Sequence, residues 1–365
     1  MNGINESTST ATGIADSTHS AGPIIDAHVH ALPAALLREV ADRDVDGFSA
    51  APVDGGWRVV LPGGATRLVR AGMTDTGRRA DWAARQGLTG QVVSPWLDAQ
   101  PVEGMAEADA RDWARRLNAA LAGQELTGTE AAQRDTGTAN TVLATVAVTP
   151  RAAQDLQEAV EKDGLAGLVL STNPAGAEDL ADPALEGLWE AAAGLGAPVV
   201  LHPPTFGPAQ SLPGSDQFGN TYCRLVDTTF AVTKLLLSGV LDRHPALRLV
   251  VVHGGGFLPY QSRRLDGGHR ADALSGYAIE RDRPSDYLPD LFYDTVALRP
   301  ESVRFLADVA GADRVLLGSD YPFPLGDPDP AGTVRSAGLP DAATAAVLGG
   351  NAARLFPAAD RSAHA

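Results

Sequence analysis

Residues 24–30 read IIDAHVH, a short apolar run that ends in two histidines separated by one residue. The run has the length and composition of a buried strand, with His28 and His30 at its end. Residues i and i+2 of an extended chain point to the same side, so the two imidazoles can bind one ion. Histidine is the commonest metal ligand, and a nitrogen and oxygen site suits zinc or a similar divalent ion. The alternative is a pair of polar residues that leave a strand for a loop, and only the rest of the chain distinguishes the two.

The composition is that of a globular protein with an acidic surface. The chain has 365 residues, 44% of them hydrophobic, and a formal net charge of -16, which argues against nucleic acid and anionic membranes as partners. Cys223 is the single cysteine, so no intrachain disulfide can form, and no apolar run approaches the roughly 18 residues of a membrane span. Residues 1–22 have no signal-peptide pattern and are predicted to be a disordered lead-in, and residues 358–365 a disordered tail. We expect a cytoplasmic protein.

Eight apolar runs alternate with segments of helical composition. They begin near Ile24, Gln91, Thr141, Ala166, Pro198, Leu247, Leu291 and Val315. Continuous Val, Ile and Leu runs indicate strands buried on both faces, as in a parallel sheet. The pattern predicts an α/β fold, a (β/α)8 TIM barrel over residues 23–357. The alternative is an open doubly wound sheet with a second domain, which is disfavoured because no glycine-rich phosphate-binding motif follows the first strand.

Residues 46–70 differ in composition and hydrophobic pattern from the rest of the chain. Two short alternating runs, residues 57–60 and 66–69, flank a turn signal, LPGG, at residues 61–64. Glycine and proline mark tight turns, and alternation marks half-buried strands. This segment is predicted to be a small β-hairpin inserted after the first barrel strand.

Three further polar residues stand where predicted strands end. His202 ends the fifth strand, His253 follows the sixth, and Asp320 follows the eighth. The C-terminal ends of barrel strands meet at one mouth, where barrel enzymes carry their active sites. Each residue alone has a plainer interpretation: a satisfied core histidine, the start of a flexible turn, and a helix N-cap. Together with His28 and His30 they indicate a metal site.

Four motifs, in this order, resemble those of the amidohydrolase superfamily. They are DAHVH at residues 26–30, LHP at 201–203, HGGG at 253–256 and RVLLGSDYPFPLG at 314–326. The last motif is long and specific, and the likeness runs from about residue 24 to residue 356. The chain resembles the branch of metal-dependent decarboxylases typified by 2-amino-3-carboxymuconate 6-semialdehyde decarboxylase.

The resemblance implies one divalent ion, usually zinc, with manganese as the alternative. The implied ligands are His28, His30, His202 and Asp320, with a water molecule completing the shell. A divalent ion lowers the pKa of bound water from about 15.7 towards 7. By the same resemblance His253 stands beside the metal as the acid/base, and Asp320 is catalytic as well as a ligand. Asp26 is expected to orient the first histidine ligand.

The resemblance also implies substrate-binding residues and a homodimer. Arg67 is expected to bind a substrate carboxylate, a role for which Arg79 competes, because a planar guanidinium suits bidentate carboxylate binding. Arg264, eleven residues after His253, is expected to reach the active site of the neighbouring subunit. Phe323 is expected to line the pocket. For Arg67 and Arg264 the plainer alternative is a surface arginine with no role in the site.

The implied reaction is non-oxidative decarboxylation of a small carboxylated aromatic or muconate-type substrate. Metal-bound water and His253 would supply the acid/base chemistry. One departure leaves the substrate open: residues 203–215, the loop over the barrel mouth, lack the tryptophan that the family carries there. The main alternative is a hydrolase, hydratase or cyclising enzyme that uses the same site on a small cyclic, amide or lactone substrate. The second alternative is a non-catalytic metal-binding protein.

Overall fold

Each of the eight apolar runs contains a strand in the computed structural model, which describes residues 22–42, 45, 47–62, 64–127, 139–277 and 279–357. These eight strands are short and parallel to their neighbours. In chain order all the strands are β1 (Ile25–Ala31), β2 (Ser49–Val53), β3 (Gly56–Val60), β4 (Thr66–Arg70), β5 (Gly90–Pro95), β6 (Ala139–Val142), β7 (Leu168–Ser171), β8 (Val199–His202), β9 (Leu249–Val251), β10 (Phe292–Asp294) and β11 (Val315–Leu316). The predicted lead-in and tail, apart from residue 22, lie outside the described residues.

The eight parallel strands fall into two sheets. One has the order β1-β5-β6, and the other runs β11-β10-β9-β8-β7. Single bridges link the ends of the two sheets: Ala144, beyond β6, pairs with Leu168, and Val29 of β1 pairs with Tyr321, beyond β11. A backbone hydrogen bond from His30 N to Tyr321 O, 2.8 Å long, accompanies the second bridge. The first and last parallel strands of the chain are therefore adjacent.

The parallel strands direct alternate side chains to different hydrophobic clusters. In β8, Val199 and Leu201 pack with the helices, whereas Val200 belongs to an inner cluster. Because side chains repeat with a period of two, His202 shares the face of Val200. Each parallel strand, or the residue directly after it, contributes to the inner cluster, which includes Ala27, Val92, Leu143, Val169, Val200, Val250, Phe292 and Leu316.

Amphipathic helices lie between the strands in sequence and cover them. In α4 the first turn carries Glu107 and Asp109, which interact favourably with the positive end of the helix dipole, and Trp113, Leu117 and Leu121 are buried. In chain order the α-helices are α1 (Ala34–Asp42), α2 (Ala71–Thr74), α3 (Thr76–Arg85), α4 (Glu107–Ala122), α5 (Ala152–Glu161), α6 (Glu186–Leu195), α7 (Arg224–Leu237), α8 (Val240–Arg243), α9 (Leu258–Arg270), α10 (Pro300–Ala310), α11 (Pro330–Arg335), α12 (Asp341–Ala345) and α13 (Asn351–Leu355). Within the described part of the chain, none of the helices combines the length and apolar character of a membrane span.

β2, β3 and β4 form a three-stranded antiparallel sheet where the sequence predicted a two-stranded hairpin. β3 pairs with β2 on one side and with β4 on the other. β2 escaped prediction because Pro52 and two alanines give it a weak strand pattern, which an edge strand tolerates. Val59 and Val69 are buried and attach this sheet to a satellite hydrophobic cluster. Arg67 lies on β4, opposite Val59.

Candidate metal centre

Four predicted residues bring their ligand atoms together at the C-terminal ends of the strands. They are all buried, and one nitrogen or oxygen of each lies within 4.8 Å of the others: His28, His30, His202 and Asp320. His28 Nε2 lies 3.0 Å from His30 Nε2 and 3.3 Å from Asp320 Oδ1. His30 Nε2 lies 3.1 Å from the same carboxylate oxygen. Three imidazoles and one carboxylate form a donor set that suits a divalent transition metal.

Hydrogen bonds determine which nitrogen two of these imidazoles present. His28 Nδ1 lies 2.6 Å from Asp294 Oδ2, and His202 Nδ1 lies 2.8 Å from the carbonyl oxygen of Pro203. Both acceptors require a proton on Nδ1, which leaves Nε2 with an available lone pair. Among the described residues, His202 Nε2 is buried and has no hydrogen-bond partner. A buried lone pair is costly unless it binds something, so these residues fit a divalent cation.

Burial and charge set the protonation states of the cluster. Burial lowers the pKa of His30 to about 4. Burial and the neighbouring histidines also hold the pKa of His202 well below its usual value. Burial acts to raise the pKa of the Asp320 carboxyl. The neighbouring His28, His253 and His30 outweigh burial and hold this pKa well below its usual range. Neutral imidazoles and an ionised carboxylate are the forms that bind metals.

Asp320 and His253 share an unusual backbone conformation. Their φ angles are 61° and 55°, in the left-handed region that residues other than glycine seldom adopt. Hydrogen bonds hold the segment around Asp320, because its amide donates to the carbonyl of His28 at 3.0 Å and the Ser319 hydroxyl donates to Asp26 Oδ2 at 2.5 Å. Such conformations cost about 1–3 kcal/mol each and cluster at functional sites. Four described residues other than glycine have such a positive φ, and two of them, Asp320 and His253, are those that the sequence predicts to be catalytic.

His253 lies at the edge of the ligand cluster and faces a cavity. Its Nε2 is 3.7 Å from Asp320 Oδ2, and its ring centre is 5.1 Å from that of His202. Its Nδ1 has no hydrogen-bond partner in the described part of the chain. His253, Asp320 and Phe323 line a cavity of about 500 Å³, and the Phe323 ring lies 5.2 Å from that of His30. This volume is within the range of small-molecule sites.

Comparison with known proteins identifies the family. The sequence profile of the family described as amidohydrolase matches residues 25–358, which is most of the chain. The chain belongs to the amidohydrolase family. The matched region begins in β1 and includes all four ligand residues, so the cluster lies within the part of the chain that carries the family pattern.

Relatives of this amidohydrolase include decarboxylases. The chain is 29% identical over 205 residues to the 2-amino-3-carboxymuconate-6-semialdehyde decarboxylase of Dictyostelium discoideum, in a match that covers 54% of this chain and 55% of that protein. This chain therefore spans about half the length of that relative. It is 27% identical over 265 residues to the gamma-resorcylate decarboxylase of Polaromonas sp., in a match that covers 67% of this chain and 76% of that protein.

Solved structures share the fold of this amidohydrolase. The 5-carboxyvanillate decarboxylase of Sphingomonas paucimobilis matches with a TM-score of 0.74 and 22% identity, over 92% of this chain and 98% of that chain. A dihydroxybenzoic acid decarboxylase of Polaromonas sp., solved with bound manganese and the inhibitor 2-nitroresorcinol, matches with a TM-score of 0.70 and 22% identity, over 92% of this chain and 97% of that chain. At these identities the likeness is one of fold.

Asp294, at the end of β10, is a site residue that the sequence prediction missed in this amidohydrolase. One carboxylate oxygen binds the ring of His28, and the other accepts a hydrogen bond from the Gly254 amide at 2.8 Å. Asp26, which was predicted to orient His28, accepts instead from the backbone amide of His28 at 3.1 Å. Its position in the sequence could have predicted this role, because Asp294 ends the seventh apolar run just as His202 ends the fifth.

Arg67 lies on a second cavity and is already paired with a carboxylate. Its Nε donates to Asp98 Oδ2 at 2.7 Å, and its guanidinium carbon lies 4.4 Å from the centre of the Phe206 ring. These three residues line a cavity of about 370 Å³, which His253 does not line. The role of Arg67 in carboxylate binding stays a prediction.

The other two predicted arginines do not line the cavity beside His253. Arg79 is 2% exposed and forms an ion pair with Glu125, whose carboxylate also accepts from Asn140 at 2.8 Å. This burial removes Arg79 as the competitor of Arg67, because its charge is engaged inside the protein. Arg264 is exposed on α9, and its contact with a neighbouring subunit stays a prediction.

Proposed function

We propose that the protein is a metal-dependent carboxy-lyase that decarboxylates a small carboxylated aromatic or muconate-type acid without oxidation. The observation that carries the proposal is the position of His253, which lies beside the ligand cluster and lines one cavity with Asp320. A metal site beside an imidazole on a substrate-sized cavity suits acid/base chemistry on a small molecule. The decarboxylases among the relatives of the chain support this reaction class.

We propose one divalent ion at the four-residue cluster. Three imidazoles favour zinc, and the manganese bound to the Polaromonas decarboxylase supports manganese as the alternative. When bound, the ion supplies a Lewis acid that stabilises negative charge on an oxygen of the substrate. Asp294 and the Pro203 carbonyl keep the Nε2 atoms of two ligands directed at that position.

His253 is the proposed proton donor. In its protonated form it transfers a proton to the substrate carbon that bears the carboxylate. The bond between that carbon and the carboxylate then breaks, its electron pair returns to the carbon skeleton, and CO2 leaves. The imidazole regains a proton from solvent that enters the cavity. Asp320 Oδ2 lies 3.7 Å from His253 Nε2, so a carboxylate stands beside the proposed proton donor.

Substrate binding and assembly are part of the same proposal. Phe323 offers an aromatic surface beside His30 for a planar substrate. Arg67 is proposed to bind a carboxylate that extends into the second cavity, in exchange for its contact with Asp98. The protein is proposed to be a homodimer in which the exposed Arg264 contributes to the active site of the neighbouring subunit.

We also infer that the eight parallel strands form a closed (β/α)8 TIM barrel over residues 23–357, with the antiparallel sheet as an insertion. The two bridges between the sheet ends support closure. The inner cluster supports it as well, because every parallel strand, or the residue directly after it, contributes to this cluster. A cytoplasmic location is part of the same proposal.

Decarboxylation is tested by a substrate screen on the wild-type protein loaded with zinc or manganese. Release of CO2 from carboxylated phenols and muconates is measured, with metal content determined on the same sample. We expect CO2 release only from protein that holds metal. Uptake of water without CO2 release would indicate a hydratase or hydrolase and overturn the proposal, and so would CO2 release that persists after the metal is removed.

A further inference from the structure

Arg224 is a buried cation on the cavity of His253 and Asp320, and the proposed reaction gives it no role. It is the first residue of α7 and is 9% exposed. It lines the same cavity as His253, Asp320 and Phe323. Arginine is seldom buried to this degree unless it is paired with an anion.

Only some of the hydrogen-bond donors of the Arg224 guanidinium have a partner among the described residues. Its Nη2 donates to Thr205 Oγ1 at 2.9 Å, whereas its Nε is buried and has no hydrogen-bond partner among the described residues. The acidic side chains of Asp320, Asp98 and Asp227 act on its charge through space. An arginine remains protonated in proteins, so the cavity holds a fixed positive charge with an unused donor.

The distribution of charge favours a ligand with two anionic groups. Imidazoles that bind a metal are neutral, so three of them and one carboxylate offset only part of the charge of a divalent ion, and the loaded cluster attracts one anionic group. Arg224 supplies a second positive centre on the same cavity. The protein as a whole carries a net charge of -16, which repels anions, so local cations decide which anions bind.

We propose that Arg224 binds a second anionic substituent of the substrate and selects aromatic dicarboxylates or similar dianionic acids over monocarboxylates. The inference rests on the proposed function, because it takes the first anionic group to lie at the metal cluster. A guanidinium with a free Nε donor suits charge-assisted, bidentate binding of a carboxylate. Arg224 is therefore a specificity residue and not a proton donor.

The test is equilibrium binding of two probes that differ by one carboxylate, isophthalate and benzoate, to the metal-loaded protein. We expect wild-type protein to bind isophthalate at least about tenfold more tightly than benzoate. Arg224→Gln is expected to weaken isophthalate about 10- to 100-fold and benzoate less than about threefold. Arg283→Gln removes a surface arginine that is 52% exposed and is the matched control, with no expected change for either probe.

Two binding results overturn the proposal: no preference of the wild-type protein for isophthalate, or a loss of affinity in Arg224→Gln that is equal for both probes. Arg224→Lys keeps the charge without the Nε donor and is expected to keep part of the preference. If Arg224→Gln does not fold, as judged by thermal melting and metal content, the two probes are compared on Arg224→Lys instead. Loss of the fold in both variants would assign Arg224 a structural role and also overturn the proposal. Binding is measured separately from turnover. If the protein prefers isophthalate but releases no CO2 from any substrate, the proposed decarboxylation is wrong and the proposed role of Arg224 in binding stands.

Discussion

Asp294 Oδ2 lies 2.6 Å from His28 Nδ1, although 266 residues separate the two in the chain. Both side chains are buried, and the other oxygen of Asp294 accepts from the Gly254 amide at 2.8 Å. The carboxylate therefore orients a ligand ring and also holds the turn that directly follows His253. A single side chain links the ligand cluster to the proposed proton donor.

Asp294→Asn is expected to lower metal affinity by about 10- to 100-fold, because an amide has one acceptor oxygen, whereas the two carboxylate oxygens serve three donors, the ring of His28 and the amides of Gly254 and Val296. The measurement is competition for zinc with a chelator of known affinity. Asp313→Asn, which alters an exposed carboxylate, is the control and is expected to leave the affinity unchanged. Equal affinities of the Asp294 variant and the wild type would contradict the orienting role.

Metal binding is expected to stabilise the fold, because the ion binds a cluster that exists only in the folded protein. Metal at 100 times its Kd contributes about 2.7 kcal/mol to the free energy of unfolding, and chelation therefore lowers the Tm. His202→Ala removes a ligand and is expected to abolish most of this shift. The Tm is measured with and without zinc for both proteins. A shift of the same size in the variant would place the metal elsewhere.

His253→Ala is expected to reduce turnover by at least about 100-fold while the metal content stays the same, because His253 is proposed to move the proton and not to bind the ion. The measurement is CO2 release and metal content on one sample. His269→Ala changes a histidine of α9 with no assigned role and is expected to keep its activity. Full activity in a metal-loaded His253 variant would remove the proposed role.

Asp155 links α5 to α4 through Arg111, whose Nε and Nη2 each donate at 2.7 Å. Burial acts to raise the pKa of Asp155, but Arg111 and Arg115 outweigh it and lower the pKa. The folded pKa thus lies below the unfolded one, so the ionised pair stabilises the protein at neutral pH. The stabilisation is lost as the pH falls from about 4 through the folded pKa.

Asp155→Asn is therefore expected to reduce the free energy of unfolding at pH 7 by about 1 kcal/mol, and the difference from wild type should shrink towards pH 3. Urea denaturation at several pH values measures it. A difference that does not vary with pH would show that the charge of Asp155 contributes nothing.

Arg79→Ala is expected to reduce the free energy of unfolding by about 3–5 kcal/mol, because it removes a buried cation that pairs with the buried carboxylate of Glu125. Thermal melting measures the loss. Arg78→Ala, at an exposed neighbouring position, is the control and is expected to change stability little. A variant at Arg79 that melts like wild type but binds substrate poorly would restore Arg79 as a substrate residue.

The local sequence determined where the strands lie and which ends carry polar residues. All eight apolar runs contain a strand, because a strand buried on both faces needs an unbroken hydrophobic run. His202 directly follows the run Val199, Val200 and Leu201, so its position at the end of a strand could be predicted from neighbouring residues alone. The structure brings His202 together with His28, His30 and Asp320 because strands that run parallel end on the same side.

Only the tertiary structure decided which side chains meet beyond that. Asp294, not Asp26, binds the ring of His28, and Arg224 lines the cavity as a buried, partly unsatisfied cation. Arg79 has the sequence features of a substrate arginine but is paired with Glu125 inside the protein. These pairings depend on the stagger between neighbouring strands and on how loops fold over their ends. These contacts are between residues far apart in the chain, so they cannot be predicted from the periodicity of a single segment.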